Sequence, residues 1–189
     1  MGVVMPVVCV GSPLSKPGPL PGSNPFLAVM THDNPEDTPI LRLSVSLYRL
    51  WTTHLELTDG AARGPMVDEI SDGMDVFCFL LDREAAACLA EGPFPRPDAP
   101  LSKYPYSIRV TALTRTCAMA NYLSRHGKPS RDALGASVRA ALNLDKLVEA
   151  VNQGTVKLTT VEQPAPSEAH RGTHPAPQSG QTVQQARPI

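Results

Sequence analysis

SIRVTALTRTCAMANYLSRHGKPSRDALGASVRAAL, Ser107 to Leu142, carries six Lys or Arg residues against a single acid, Asp132. Its first half can be built in two ways, and they lead to different folds. Ile108, Val110 and Ala112 alternate with Ser107, Arg109 and Thr111, the pattern of a short strand that buries the first set and exposes the second. A helix would then follow, with Met119, Tyr122 and Leu123 inward, ending at Gly127. The other construction is one continuous helix from about Ser107 to His126, packed in a helical bundle. Val110, Thr111, Thr114 and Thr116 tilt the balance toward the strand, because β-branched side chains are weaker helix formers.

The second half is less ambiguous. Gly127 followed by Lys128-Pro129 marks a turn, and Ser130 is a good N-cap for RDALGASVRAAL. Ala133, Leu134, Val138, Ala141 and Leu142 form one apolar stripe there. LDKLVEAV continues as a second short helix or an extension, stopped at Gly154, and TVKLTTV alternates like a short strand.

Upstream, Asp37 or Thr38 can cap a helix whose first turn holds Pro39 and whose face is Ile40, Leu43, Leu47, Leu50 and Trp51. Leu41, Leu43, Val45 and Leu47 also alternate with polar residues, which keeps a strand open for its first half; length favours a helix ending near Asp59-Gly60. A second helix starts at Pro65, with Val67, Ile70, Met74, Phe77, Leu81, Ala85, Cys88 and Leu89 inward, a kink at Gly73 and a stop at Gly92. It is the most apolar helix and the expected centre of the core.

Of the 20 prolines, six lie in residues 1–30, five in 93–105 and five in 164–189. Proline removes a backbone donor and restricts the residue before it, so these clusters read as linkers or tails. The expected organisation is a disordered extension over 1–36, an acidic helical segment over 37–92, and a Pro-rich connector over 93–105. A basic strand-helix-helix segment over 106–161 belongs to the same compact unit, and 162–189 is a disordered tail. The fold class is mainly α: a small helical domain with one or two short strands, flanked by disordered Pro-rich ends. Met30 opens MTHDNPEDT, which looks like an ordinary protein start, so residues 1–29 read as a disordered extension or an artefact of start-site choice.

Charge is divided along the chain. Residues 30–102 hold 13 acids and 5 bases, whereas residues 103–157 hold 9 bases and 3 acids, inside a formal net charge of −1. A basic surface attracts phosphate and releases its counterions. Acidic and basic faces can also satisfy each other within one molecule or between neighbours.

Strand, helix, Gly-containing turn and helix over residues 106–143 resemble the ribbon-helix-helix family of DNA-binding proteins. The best part is GKPSRDALGASVRAAL, in which Gly127, Ser130, Ala133, Leu134, Val138 and Arg139 occupy positions comparable to that family's turn and second helix. The resemblance implies a dimer whose paired strands enter the major groove, with Arg109 on base edges and Thr111 supporting it. It further implies phosphate binding by Ser130 and the following N–H groups, with Lys128 and Arg131 adding charge and Arg115 and Arg125 widening the footprint. Two departures stand out: the first helix is a residue or two short, and Arg115 or Thr116 falls where the family tends to place an apolar residue.

Catalytic signatures are missing. Ser137 in GASVR does not meet the GxSxG pattern, and no Gly-rich loop has nucleotide-binding spacing. Asp68, Glu69, Asp72 and Asp75 fall near the start of a helix, where negative charge suits the dipole. His54, Cys78 and Cys88 are the only assembly that suggests zinc, without supporting spacing; a solvent-facing histidine and core thiols fit better. Cys117 is the most reactive thiol expected, given Arg115 nearby. No cofactor is expected, and no enzyme. Absence of CxxC pairs, signal peptide and long apolar runs points to an intracellular, cytoplasmic protein without a membrane partner. The expected function is a DNA-binding accessory or regulatory protein acting on duplex DNA as a homodimer or higher oligomer. The other expectation is a self-assembling structural or adaptor protein, such as a viral coat or filament-like subunit, using complementary acidic and basic faces.

Overall fold

The computed structural model describes residues 13–31, 38–58, 65–92 and 95–159. They form five helices: α1 Ser23–Thr31, α2 Pro39–Thr58, α3 Pro65–Leu89, α4 Tyr106–Arg125 and α5 Arg131–Asn152. No helix among the described residues is long and apolar enough to cross a membrane.

The segment that decides the fold is helical. Residues 107–112 belong to α4, so the expected strand, and with it the ribbon, is not formed. Of the three alternating apolar residues only Val110 is buried; Ile108 is 43% exposed and Ala112 is exposed. The threonines that weigh against a helix have been accommodated by back-bonding: Thr114 Oγ1 donates to the Val110 carbonyl (3.0 Å) and Thr116 Oγ1 to that of Ala112 (2.8 Å). Burial at 106, 107, 110, 113, 114, 118 and 122 then has helical, not alternating, spacing.

Helix α4 starts without a cap of its own, because Pro105 offers no side-chain acceptor. Asp82 of α3 does this instead: its carboxylate accepts from the Ser107 N–H (2.8 Å) and the Ser107 hydroxyl (2.8 Å). The same device starts α1. Asp145 of α5 accepts from the Ser23 N–H (2.6 Å) and hydroxyl (2.7 Å). Each carboxylate meets the positive end of a helix dipole and ties two distant elements together.

At residues 13–31, which include α1, the structure is ordered where disorder was expected over 1–36. Leu20, Phe26 and Val29 are buried, the Tyr106 hydroxyl donates to the Pro21 carbonyl (2.9 Å), and Leu20 exchanges two hydrogen bonds with Asn152. A Pro-rich composition does not prevent order where a short helix finds a preformed apolar surface. Residues 1–12, 32–37 and 160–189 lie outside the described residues.

Helices α2 and α3 follow the expected faces. Ile40 and Leu47 are buried, with Leu43, Leu50 and Trp51 packed against the core; the strand left open for the first half of α2 is not formed. Ile70, Met74, Phe77, Leu81, Ala85 and Cys88 are buried, and α3 runs unbroken through Gly73. Ser130 caps α5 as expected, its hydroxyl accepting from the Ala133 N–H (3.2 Å). Gly127 (φ 68°) and Gly154 (φ 67°) take the left-handed conformation that ends α4 and α5. LDKLVEAV is part of α5, not a separate helix.

One face of α5 is reversed from expectation. The residues turned into the core are Ala140, Leu144, Val148 and Val151, whereas Leu134, Val138 and Leu142 are 61%, 53% and 54% exposed. A helix of 22 residues carries two apolar rows, and only one can face the bundle. TVKLTTV forms no strand within its described residues; it contributes one isolated bridge, Lys157 to Leu101, that straps the 95–105 connector to the end of α5.

Candidate anion-binding groove

The cations of the basic segment do not converge on one contact surface. They divide into three places. Arg115 leaves α4 toward α2 and lies over the Trp51 ring, 5.0 Å from its centroid. Thr111 faces α3, its hydroxyl 3.2 Å from the Cys78 thiol. Neither is placed to share a ligand with Arg109.

Arg125, Lys128 and Arg131 are exposed around the α4–α5 turn. Arg125 lies 3.7 Å from Glu56, both side chains half in solvent, so this pair contributes little. Ser130, whose hydroxyl already caps α5, sits between Lys128 and Arg131.

Arg109 stands at the other end of the hairpin, roughly 24 Å from Arg125 at helical rise. There the start of α4, the end of α5 and the strapped connector enclose a groove of about 290 Å³. Its rim holds Lys103, Arg109 and Lys146, with Tyr104 and Asn143 beside them, over an apolar floor that includes Leu147 and Val156. Lys103 Nζ is 5.3 Å and the Arg109 guanidinium carbon 5.0 Å from the Tyr104 ring centroid. Among the described residues no Asp or Glu lines the groove. The Arg109 Nε is buried and has no hydrogen-bond partner among the described residues. An arginine and two lysines lining one space around a tyrosine are an arrangement suited to an anion.

The groove is held by local bonds in the connector. Ser102 donates from its backbone N–H to the Lys157 carbonyl (2.7 Å) and from its hydroxyl to the Tyr104 carbonyl (2.9 Å). Thr159 returns two bonds to Ser102, from its N–H (3.0 Å) and its hydroxyl (2.6 Å). Lys103 and Lys146 were not singled out from the sequence. They are 43 positions apart, and only the strap across the helix ends brings them together.

Three of the four thiols lie among the described residues, Cys78 and Cys88 buried and Cys117 partly so. Burial pushes Cys117, Cys78 and Cys88 above the ordinary value, and Arg115 is engaged with Trp51 instead of activating Cys117. His54 packs edge-on against Trp51 at 5.6 Å and is partly buried, not solvent-facing. Among the described residues no group of three or more His, Cys, Asp or Glu side chains is arranged to hold a metal ion. No protein-family model, curated protein or solved structure matches the chain.

Proposed function

We propose that the chain is a non-enzymatic, DNA-binding accessory or regulatory protein whose contact surface is the α4–α5 helical hairpin. The observation that carries this reading is the groove at one end of the hairpin, lined by Lys103, Arg109 and Lys146 with Tyr104 and by no acid among the described residues. The exposed Arg125, Lys128 and Arg131 supply a second cationic point at the other end. Phosphates of one strand engage the groove, and those farther along the duplex engage the turn. With helices in place of a ribbon, Arg109 acts on phosphate and not on a base edge.

The test is duplex binding by the full chain across a salt series. Affinity falls with salt, and Arg109→Ala weakens binding uniformly across sequences, lowering the salt slope by about 1. Binding that is insensitive to salt, or unchanged in Lys103→Ala/Arg109→Ala/Lys146→Ala, overturns the reading. Relaxed sequence preference in Arg109→Ala would instead restore base contact for this residue.

A second reading, a self-assembling structural or adaptor protein, is favoured by the exposed row Leu134, Val138 and Leu142 on α5. It predicts oligomers of the full chain without added DNA.

A further inference from the structure

Around α5, at 100° per residue, Arg131, Leu134, Val138, Leu142, Asp145 and Glu149 fall within an arc of about 80°. Their spacings of three and four residues are those of a coiled-coil seam. The row is independent of the core stripe Ala140, Leu144, Val148 and Val151 on the same helix.

Its order of charges indicates what covers it. A cation stands at the N-terminal end, three apolar residues follow, and two acids close it. Reversed, the row complements itself. A two-fold axis at Val138 sets Leu134 against Leu142 of a second copy, and Val138 against its own counterpart. The same axis brings Arg131 to the copy's Asp145 and Lys128 near its Glu149. A parallel copy would put Arg131 against Arg131 and Asp145 against Asp145. Asp145 accepts one bond at each oxygen from Ser23, and a carboxylate has further lone pairs for an arginine. Asp132, Arg139 and Lys146 point about 80–120° away from the seam and stay outside it.

We infer that this row is the interface of a closed two-fold dimer, in which the α5 helices of two copies of the chain pack antiparallel through Leu134, Val138 and Leu142. The inference rests on the self-assembly reading, not on DNA binding, and makes the assembly closed instead of filamentous.

Sedimentation equilibrium of the full chain, with and without Val138→Asp, tests it. The expected result is a concentration-dependent dimer that the substitution weakens by more than about a hundredfold, because two carboxylates face each other at the axis. Residue 138 is exposed in the monomer, so helix content and melting of the variant at low concentration match the parent. In a second arm, Val138→Cys under mild oxidation gives a disulfide-linked dimer, reversed by reductant, beyond any formed by the parent or by Ile108→Cys. A parent that stays monomeric overturns both the inference and the self-assembly reading. Oligomers that persist in Val138→Asp, or Val138→Cys that links no better than Ile108→Cys, overturn the inference and leave self-assembly standing.

Discussion

Two buried carboxylates show how single residues hold the bundle. Asp82 is 4% exposed and supplies the cap that Pro105 cannot. Asp82→Ala leaves the Ser107 N–H and hydroxyl without their acceptor and costs about 2–4 kcal/mol, whereas Ser107→Ala removes one bond and costs about 1 kcal/mol. Equal midpoints in urea for the two variants would contradict this assignment. Glu84 accepts from the N–H groups of Leu14 (2.9 Å) and Ser15 (2.7 Å) and from Arg83 (3.2 Å). Burial alone would raise its carboxyl; bonds from Ser15, Leu14 and Arg83 together outweigh that and hold it below the ordinary value of 4.5. A lowered carboxyl stabilises the fold above its unfolded value, and that contribution is lost as pH falls through the folded one. Glu84→Gln is therefore less stable at neutral pH, and its deficit shrinks as pH falls below 4.5; a constant deficit across that window counts against the role. Neither carboxylate was legible in the sequence. Ser130 was, because a cap and its N–H lie three residues apart, while Asp82 and Ser107 are joined only by the packing of two helices.

At the scale of elements, α1 is the strongest test. Phe26 is fully buried against the core, and its ring lies 6.4 Å from that of Tyr106. Phe26→Ala should cost about 3–5 kcal/mol in chemical denaturation. A chain begun at Met30 should be destabilised by more, since Leu20, Val29 and the Ser23–Asp145 bonds go as well. A shortened chain as stable as the whole would show that the contact is idle. Sequence composition hid this helix because SNPFLAVMT is too short to form alone and its stability comes from partners 122 and 132 residues away. Helix α4 was left between a strand and one continuous helix for another reason: alternating β-branched residues mimic a strand when their hydroxyls' back-bonds are invisible. For α3, where apolar spacing runs through six buried positions from Ile70 to Cys88, the sequence sufficed.

Across the whole molecule, charge division was legible in the chain, but its geometry was not: Arg109, Arg115 and Arg125 are neighbours in sequence and diverge on the helix. If the groove binds phosphate and α5 forms the two-fold, two grooves related by that axis meet DNA together. The footprint is then symmetric, and Val138→Asp shortens it by half while leaving the salt dependence of each half. An asymmetric footprint of unchanged length in the variant would separate the two surfaces. The pinning of Ser23 to Asp145 and of Leu20 to Asn152 also sets an order on synthesis. At ribosomal rates, the first helix waits roughly 6–24 s for its anchoring carboxylate to be made. During that interval Phe26 and Val29 have no finished surface to cover them. The nascent chain thus carries an early apolar segment that a chaperone can hold, and the segment gains its helix only once the last helix supplies its surface.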